Sequence, residues 1–172
     1  MARASIEMRS LQPSDDRSGF TCGQPDLDDY FKTKAGQALK RGIAGIRVAL
    51  LDGKIVGYAT TVATEIHHDG DLPLGKRLPD WVPALRLARL AVATTEQGKG
   101  VGDLLMKDTL DAALALRRKH GCAGVLVDAK PEAVGYYGRF KFEVLEVSNE
   151  TGLAVMYLPC AWIEEFLDGR DP

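Results

Sequence analysis

Residues 85–128 read in order as a strand, a glycine-rich loop, a helix and a second strand, and no other feature limits the fold of this chain so strongly. Residues 85–93 are an apolar extended run. Val101, Leu104, Leu105, Ala112, Ala113 and Leu116 then recur at helical spacing over about 20 residues. Gly121 supplies a helix-terminating glycine, and residues 122–128 form a buried apolar strand. A strand–helix–strand connection crosses right-handed, so the two strands are expected to lie parallel.

The flanking segments read as antiparallel. Residues 5–11 alternate as a first strand that Pro13 ends. Pro25 opens a single helix that Lys40, Arg41 and Gly42 close; Asp26, Asp28 and Asp29 fill its first turn, and Leu27, Tyr30, Phe31, Ala35, Ala38 and Leu39 share a face. Residues 43–51 and 54–66 flank Asp52-Gly53, a pair that accepts the positive φ angles of a two-residue hairpin turn. Residues 67–83 carry three prolines and no periodicity, and are expected to form the longest loop and a substrate-facing excursion. Residues 131–140 read as a short helix, 142–147 and 153–158 as a final strand pair, and 161–167 as one or two helical turns. The expected fold is one α/β domain over residues 1–172, with a mixed, mostly antiparallel sheet, a central parallel strand pair and flanking helices.

Composition narrows the function classes. With 22 Lys+Arg against 24 Asp+Glu the net charge is −2, which excludes a uniformly basic coat for nucleic acid and leaves room for a local patch. No apolar run approaches the ~20 residues that span a bilayer. Residues 1–10 hold Arg3, Glu7 and Arg9 and no apolar core of a leader, so the expected location is cytoplasmic. Cys22, Cys122 and Cys160 are odd in number and widely spaced, which argues for buried thiols over disulfides or zinc.

The chemistry-bearing motif is Gln97-Gly98-Lys99-Gly100-Val101-Gly102, between a strand and the N-terminus of the long helix. Free backbone N–H groups and the positive helix end face such a loop, and its glycines remove side chains that would block a phosphate. It is not a P-loop, because no Ser or Thr follows Lys99-Gly100. It is not a dinucleotide fingerprint, because Asp103 stands where the last glycine belongs. On spacing alone, a glycine turn capping a helix remains an equal reading.

Gln97-x-x-Gly100-x-Gly102, preceded by Arg89-Leu90-Ala91-Val92 and followed by Tyr136-Tyr137-Gly138-Arg139-Phe140, resembles the GNAT superfamily of acetyl-CoA-dependent N-acetyltransferases. Phe20-x-Cys22-Gly23, Leu27-Asp28, Gly57-Tyr58 and Leu78-Pro79-x-x-Val82-Pro83 further resemble the toxins of toxin–antitoxin pairs that acetylate aminoacyl-tRNA. One departure is visible: the family writes Gly-Phe after its tyrosine helix, and this sequence has Lys141-Phe142. The resemblance implies acetyl-CoA as co-substrate, without a metal. Its diphosphate would be held by the main chain of Gln97, Gly98, Lys99, Gly100, Val101 and Gly102, and its pantetheine arm by the main chain of Leu90, Ala91 and Val92, where the parallel strands splay apart. Lys99 is a candidate for a CoA phosphate. Tyr137 would be the acid that protonates the departing thiolate, while Tyr136 packs in the core. A ribbon-helix-helix antitoxin is an implied partner, and a homodimer is expected on family grounds alone.

No base for the acceptor amine is evident. Glu65, His67 and His68 stand at the end of a strand and are weak candidates, and His67-His68-Asp69 lacks further ligands for a metal. An α-amine with a pKa near 7.7–8.0 needs less help than a lysine near 10.4, which favours an aminoacyl ester as acceptor. Residues 30–51 hold Lys32, Lys34, Lys40, Arg41 and Arg47 and no acid, whereas residues 138–172 hold three cations against seven acids. Arg86 and Arg89 extend the basic region, which suits an acceptor with phosphates. The alternatives are an acetyltransferase of a small amine or a protein amine, and a CoA-binding domain without catalysis.

Overall fold

The computed structural model describes residues 4–67 and 78–167. In chain order the elements are β1 (Ile6–Ser10), α1 (Pro25–Thr33), α2 (Ala35–Lys40), β2 (Gly45–Leu51), β3 (Lys54–His67), β4 (Trp81–Val92), α3 (Val101–Lys119), β5 (Gly124–Ala129), α4 (Val134–Gly138), β6 (Glu143–Val147), β7 (Ala154–Pro159) and α5 (Cys160–Leu167). Hydrogen bonding orders the strands β1-β2-β3-β4-β5-β7-β6. β4 and β5 pair in parallel, as the crossover pattern predicts, whereas β1–β2, β2–β3, β5–β7 and β6–β7 are antiparallel. Two compact units result, Met1–Val62 with Ala88–Thr109 and Ala63–Leu87 with Leu110–Pro172; β3, β4 and α3 contribute residues to both.

In the first unit, Tyr58 of β3 is the fully buried centre of an aromatic cluster. Phe31 of α1 stacks on it at 4.2 Å and 4°, and Phe20 meets it edge-on at 5.6 Å. Its hydroxyl donates to the Leu27 carbonyl at 2.8 Å, so the ring that packs α1 also satisfies one of its carbonyls. The single helix predicted from Pro25 to Gly42 is instead α1 and α2, broken at Lys34 (φ −118°, ψ −30°). The reason is distant in sequence. Arg17 Nη1 donates to the Phe31 carbonyl at 2.9 Å, the acceptor that the Ala35 N–H would use in a continuous helix. Gly36 leaves room for this arginine, since a Cβ there would stand 3.1 Å from Nη2.

The β2–β3 hairpin turns at Asp52 (φ 50°) and Gly53 (φ 76°), as the Asp-Gly pair predicts. Its register skips Val56, between the Ala49↔Gly57 and Leu50↔Ile55 pairs. The Val56 carbonyl accepts the Ala93 N–H at 2.8 Å, so this bulge serves the end of β4. At Gly57 an added Cβ would lie 2.9 Å from Leu105 Cδ1, 3.1 Å from Val101 Cγ1 and 3.1 Å from the Ala91 carbonyl. Glycine thus lets the first turns of α3 rest directly on the strand. Arg47 of β2 pins the same helix through two 2.9 Å hydrogen bonds to Asp108.

In the second unit, Ile66, Val82, Ala84, Leu126 and Tyr157 form the core. β4 begins at Trp81, four residues before the strand start expected at 85. Pro83 is accommodated because its fixed φ suits extended backbone and its carbonyl accepts the Ala123 N–H at 2.7 Å. Residues 68–77 of the expected loop lie outside the described residues. Gly121 (φ 93°) closes α3, its N–H reaching the Leu116 carbonyl at 3.0 Å. The expected helix over 131–140 is a 3₁₀ turn, Pro131–Ala133, followed by α4.

Gly124 carries the tightest packing constraint of this unit: a Cβ there would lie 2.5 Å from both the Leu158 carbonyl and the Tyr157 ring. Gly124→Ala is expected to destabilise the protein by about 2–3 kcal/mol, lowering Tm by roughly 4–12 °C in thermal unfolding. Gly135→Ala, in α4 with nothing within 4 Å of the added methyl, is expected to leave Tm unchanged or raise it.

Candidate active site

The glycine loop is set by its backbone. Gly98 (φ 76°) and Gly100 (φ 91°) both lie in the left-handed region, and nothing stands within 4 Å of a Cβ at either position. Conformation, not crowding, therefore requires glycine there, and the space in front of the loop is open. The bond from the Leu104 N–H to the Gly100 carbonyl (3.2 Å) starts the α3 ladder, and the amides of residues 98–102 donate to no backbone carbonyl among the described residues. Unpaired N–H groups at the positive end of a 19-residue helix fit a diphosphate.

Gln97 holds this loop in place. Its Nε2 donates to the Val92 carbonyl and to the Cys22 carbonyl, each at 2.9 Å. Thr94 adds a backbone bond to the Thr21 carbonyl at 2.9 Å. The segment around Cys22 is thus a brace for the loop. Its signal in the sequence is Gly23, whose φ of 86° turns the chain there. Lys99 lies 3.4 Å from Glu96 on the surface, with its side chain 62% exposed, a pair of little energetic weight.

Leu90, Ala91 and Val92 end β4. The parallel ladder with β5 covers Ala84–Gly124 to Leu87–Val127 and stops there, although β4 continues to Val92 and β5 to Ala129. The main chain of Leu90–Val92 therefore takes no part in that ladder. Ala91 is buried, while its neighbours are half-buried.

Tyr137 lies on α4 in the second unit and is 8% exposed. Tyr136 and Phe142 meet its ring edge-on at 5.3 and 5.8 Å. Burial pushes its pKa up to about 12, so the phenol keeps its proton across the physiological range. Its hydroxyl makes no hydrogen bond among the described residues. It is also not one of the two fully buried unpartnered polar atoms, Thr60 Oγ1 and Tyr157 Oη, so it retains access to the surface. Lys141, where the family writes glycine, adopts φ 71°; the side chain is tolerated in a left-handed conformation.

Other candidates are less engaged. Glu65 and His67 are exposed at the end of β3, with the His67 ring against Trp81 at 3.5 Å. His68 and Asp69 lie outside the described residues. Cys22, Cys122 and Cys160 are all buried and unbridged. No group of three or more His, Cys, Asp or Glu among the described residues is arranged to hold a metal. None of the described helices is long and apolar enough to cross a membrane.

Residues 43–144 match the acetyltransferase (GNAT) domain family. A tRNA-acetylating toxin of Mycobacterium tuberculosis (strain ATCC 25618 / H37Rv) is 34% identical over 138 residues, 79% of this chain and 83% of that protein. Among solved structures, a bacterial toxin superposes with a TM-score of 0.91 at 21% identity, over 99% of both chains. AtaT complexed with acetyl-methionyl-tRNAfMet superposes with a TM-score of 0.84 at 21% identity, over 95% of this chain and 99% of that one. AtaTR bound with acetyl-CoA gives 0.82 at 22% identity, over 94% and 98%. These structural likenesses speak to the fold, and the match over 43–144 together with the 34% identical relative makes this chain a member of the GNAT acetyltransferase family.

Proposed function

We propose that the chain is a single catalytic domain that transfers the acetyl group of acetyl-CoA to the α-amine of an aminoacyl-tRNA, as the cytoplasmic toxin of a toxin–antitoxin pair. The observation that carries this reading is the open amide cradle of residues 98–102 at the start of α3, in a chain of the acetyltransferase family. The choice of acceptor is supported by the 34% identical relative, whose name is that of a tRNA-acetylating toxin. AtaT has been captured with the C-terminus of its antitoxin AtaR, which supports a small antitoxin as partner here.

In this reading the amides of residues 98–102 bind the diphosphate of acetyl-CoA, and main-chain groups of Leu90, Ala91 and Val92 that the β4–β5 ladder leaves unused align its amide-bearing arm. Gln97 acts by holding the loop, since both of its N–H donors are already engaged. The acceptor nitrogen forms the new C–N bond as the C–S bond breaks. The Tyr137 hydroxyl gives its proton to the sulfur and regains one from the nitrogen through solvent, so the products are the N-acetylated acceptor and free CoA. An α-amine is substantially neutral at physiological pH, so no strong base is required.

Tyr137→Phe is expected to lower kcat by about 10²–10⁴-fold while acetyl-CoA still raises Tm as in the wild type. Expression of the wild-type chain in a bacterial host is expected to arrest growth, with acetyl groups recovered on charged tRNA; Tyr137→Phe relieves the arrest. Healthy growth with acetylation of free amines would overturn the tRNA reading.

The pH dependence follows from the two proton positions. The amine must be neutral, so the rate rises with pH through about 7.7–8.0. The phenol must be protonated, and at about 12 it stays so. With a hydrolysis-resistant aminoacyl-tRNA analogue, kcat/KM is therefore expected to rise and then stay level to pH 10, without the decline that an unshifted tyrosine would give.

A further inference from the structure

Five arginines are half-buried among the described residues: Arg9, Arg17, Arg47, Arg86 and Arg89. Four of them meet an oxygen. Arg9 pairs with Asp15 through two 2.8 Å bonds, Arg17 with the Phe31 carbonyl, Arg47 with Asp108, and Arg86 with Asp128. Arg89 alone has no carboxylate or carbonyl partner among the described residues. Its guanidinium instead lies over the ring of Tyr30, 3.6 Å from the centroid. Stacking occupies one face of the planar cation and leaves its N–H donors in the plane, free for a bidentate anion.

The strand fixes where that anion would sit. Arg89 is two residues before Ala91, so both point to one side of β4. That side is the α1 side, because Ala91 packs in the cluster of Tyr30, Phe31 and Tyr58. The opposite side faces α3, whose Val101 and Leu105 press on Gly57. Arg89 therefore faces α1, whereas α3, whose first turn carries the diphosphate cradle, packs on the other face of the strands, which points to a different anion for Arg89. Exposed Lys32 on α1, Lys40 on α2 and Arg41 just after it add cations to the elements on that side, alongside the exposed Asp26 and Asp29 of α1.

We propose that Arg89, held flat on Tyr30, is an acceptor-binding residue that takes a phosphodiester at the 3′ end of the aminoacylated strand. The inference rests on the tRNA reading above. The phosphate of the terminal nucleotide is the anion nearest to the reacting amine, and Arg89 immediately precedes the strand end that would align acetyl-CoA. A guanidinium gripping it would set the reach of the amine, not the chemistry.

The test compares two acceptors, an aminoacyl-tRNA and a 3′-aminoacyl adenosine that lacks phosphate. In Arg89→Gln, KM for the aminoacyl-tRNA is expected to rise about tenfold or more, with kcat little changed. The slope of log affinity for tRNA against log salt is expected to fall by about 0.7, the release of one counterion from a single strand. The kcat/KM for 3′-aminoacyl adenosine and the Tm gain from acetyl-CoA should be unchanged. Arg89→Lys, which keeps the charge and loses the fork, is expected to restore part of the affinity, and it carries the test if the Gln variant does not fold. Equal losses on both acceptors, or no loss on either, would overturn the role of Arg89 and leave the tRNA reading standing. A wild-type protein that acetylates 3′-aminoacyl adenosine but not aminoacyl-tRNA would remove both.

Discussion

The Gln97 side-chain amide directs its two N–H donors to carbonyls of two other segments, Val92 at the end of β4 and Cys22 ahead of α1. Everything proposed for the site depends on that bridge. A loop with two glycines at positive φ is conformationally loose by itself, and preorganised donors are worth more than donors that must first be ordered. With Gln97 tied on one side and Gly57 admitting Val101 and Leu105 on the other, the loop is held at both ends without any side chain entering the space before its amides. The bulge at Val56 serves the same purpose, since its carbonyl fixes the Ala93 N–H just beyond β4.

The brace in turn requires that α1 be fixed, and here buried aromatic area does the work. Phe20, Tyr30, Phe31 and Tyr58 surround each other at 4.2–6.4 Å. Asp28 on α1 then accepts from the Cys22 N–H at 2.8 Å and the Thr21 hydroxyl at 2.9 Å, so the segment that carries the Cys22 carbonyl is bound to the helix it precedes. Packing and polar satisfaction point to the same arrangement, which is how a sequence comes to specify one local structure.

Much of this was readable from the chain because its signals are local. The Asp52-Gly53 turn, the Gly121 cap and the glycine loop depend on residues within a few positions of one another, and the crossover that sets β4 parallel to β5 follows from the unbroken order of strand, helix and strand. What was not readable depends on distant partners. The break between α1 and α2 comes from Arg17 capturing the Phe31 carbonyl, and no pattern within residues 25–42 encodes it. The basic region over residues 30–51 likewise looks stronger in sequence than in space. Arg47 is neutralised by Asp108, 61 residues on, and Arg86, counted as its extension, by Asp128. Counting charges identifies Arg89 as one cation among many; only the pairing of the others reveals it as the half-buried one without an oxygen.

Tyr137 poses the remaining physical question, because burial makes it a poorer acid as well as a more durable one. A phenol at about 12 facing a thiol near 8.5 transfers its proton uphill by roughly 5 kcal/mol if the step stands alone. The overall proton balance is much flatter. The proton lost by an α-amine near 7.7–8.0 ends on a thiol near 8.5, a downhill change of about 1 kcal/mol or less. In the role proposed for it, the phenol would work best as a hydrogen-bond donor that stabilises charge developing on sulfur and passes a proton only as another arrives, so that phenolate never accumulates. Such a role tolerates a raised pKa and benefits from a buried ring, because the edge contacts of Tyr136 and Phe142 fix the direction in which the hydroxyl points.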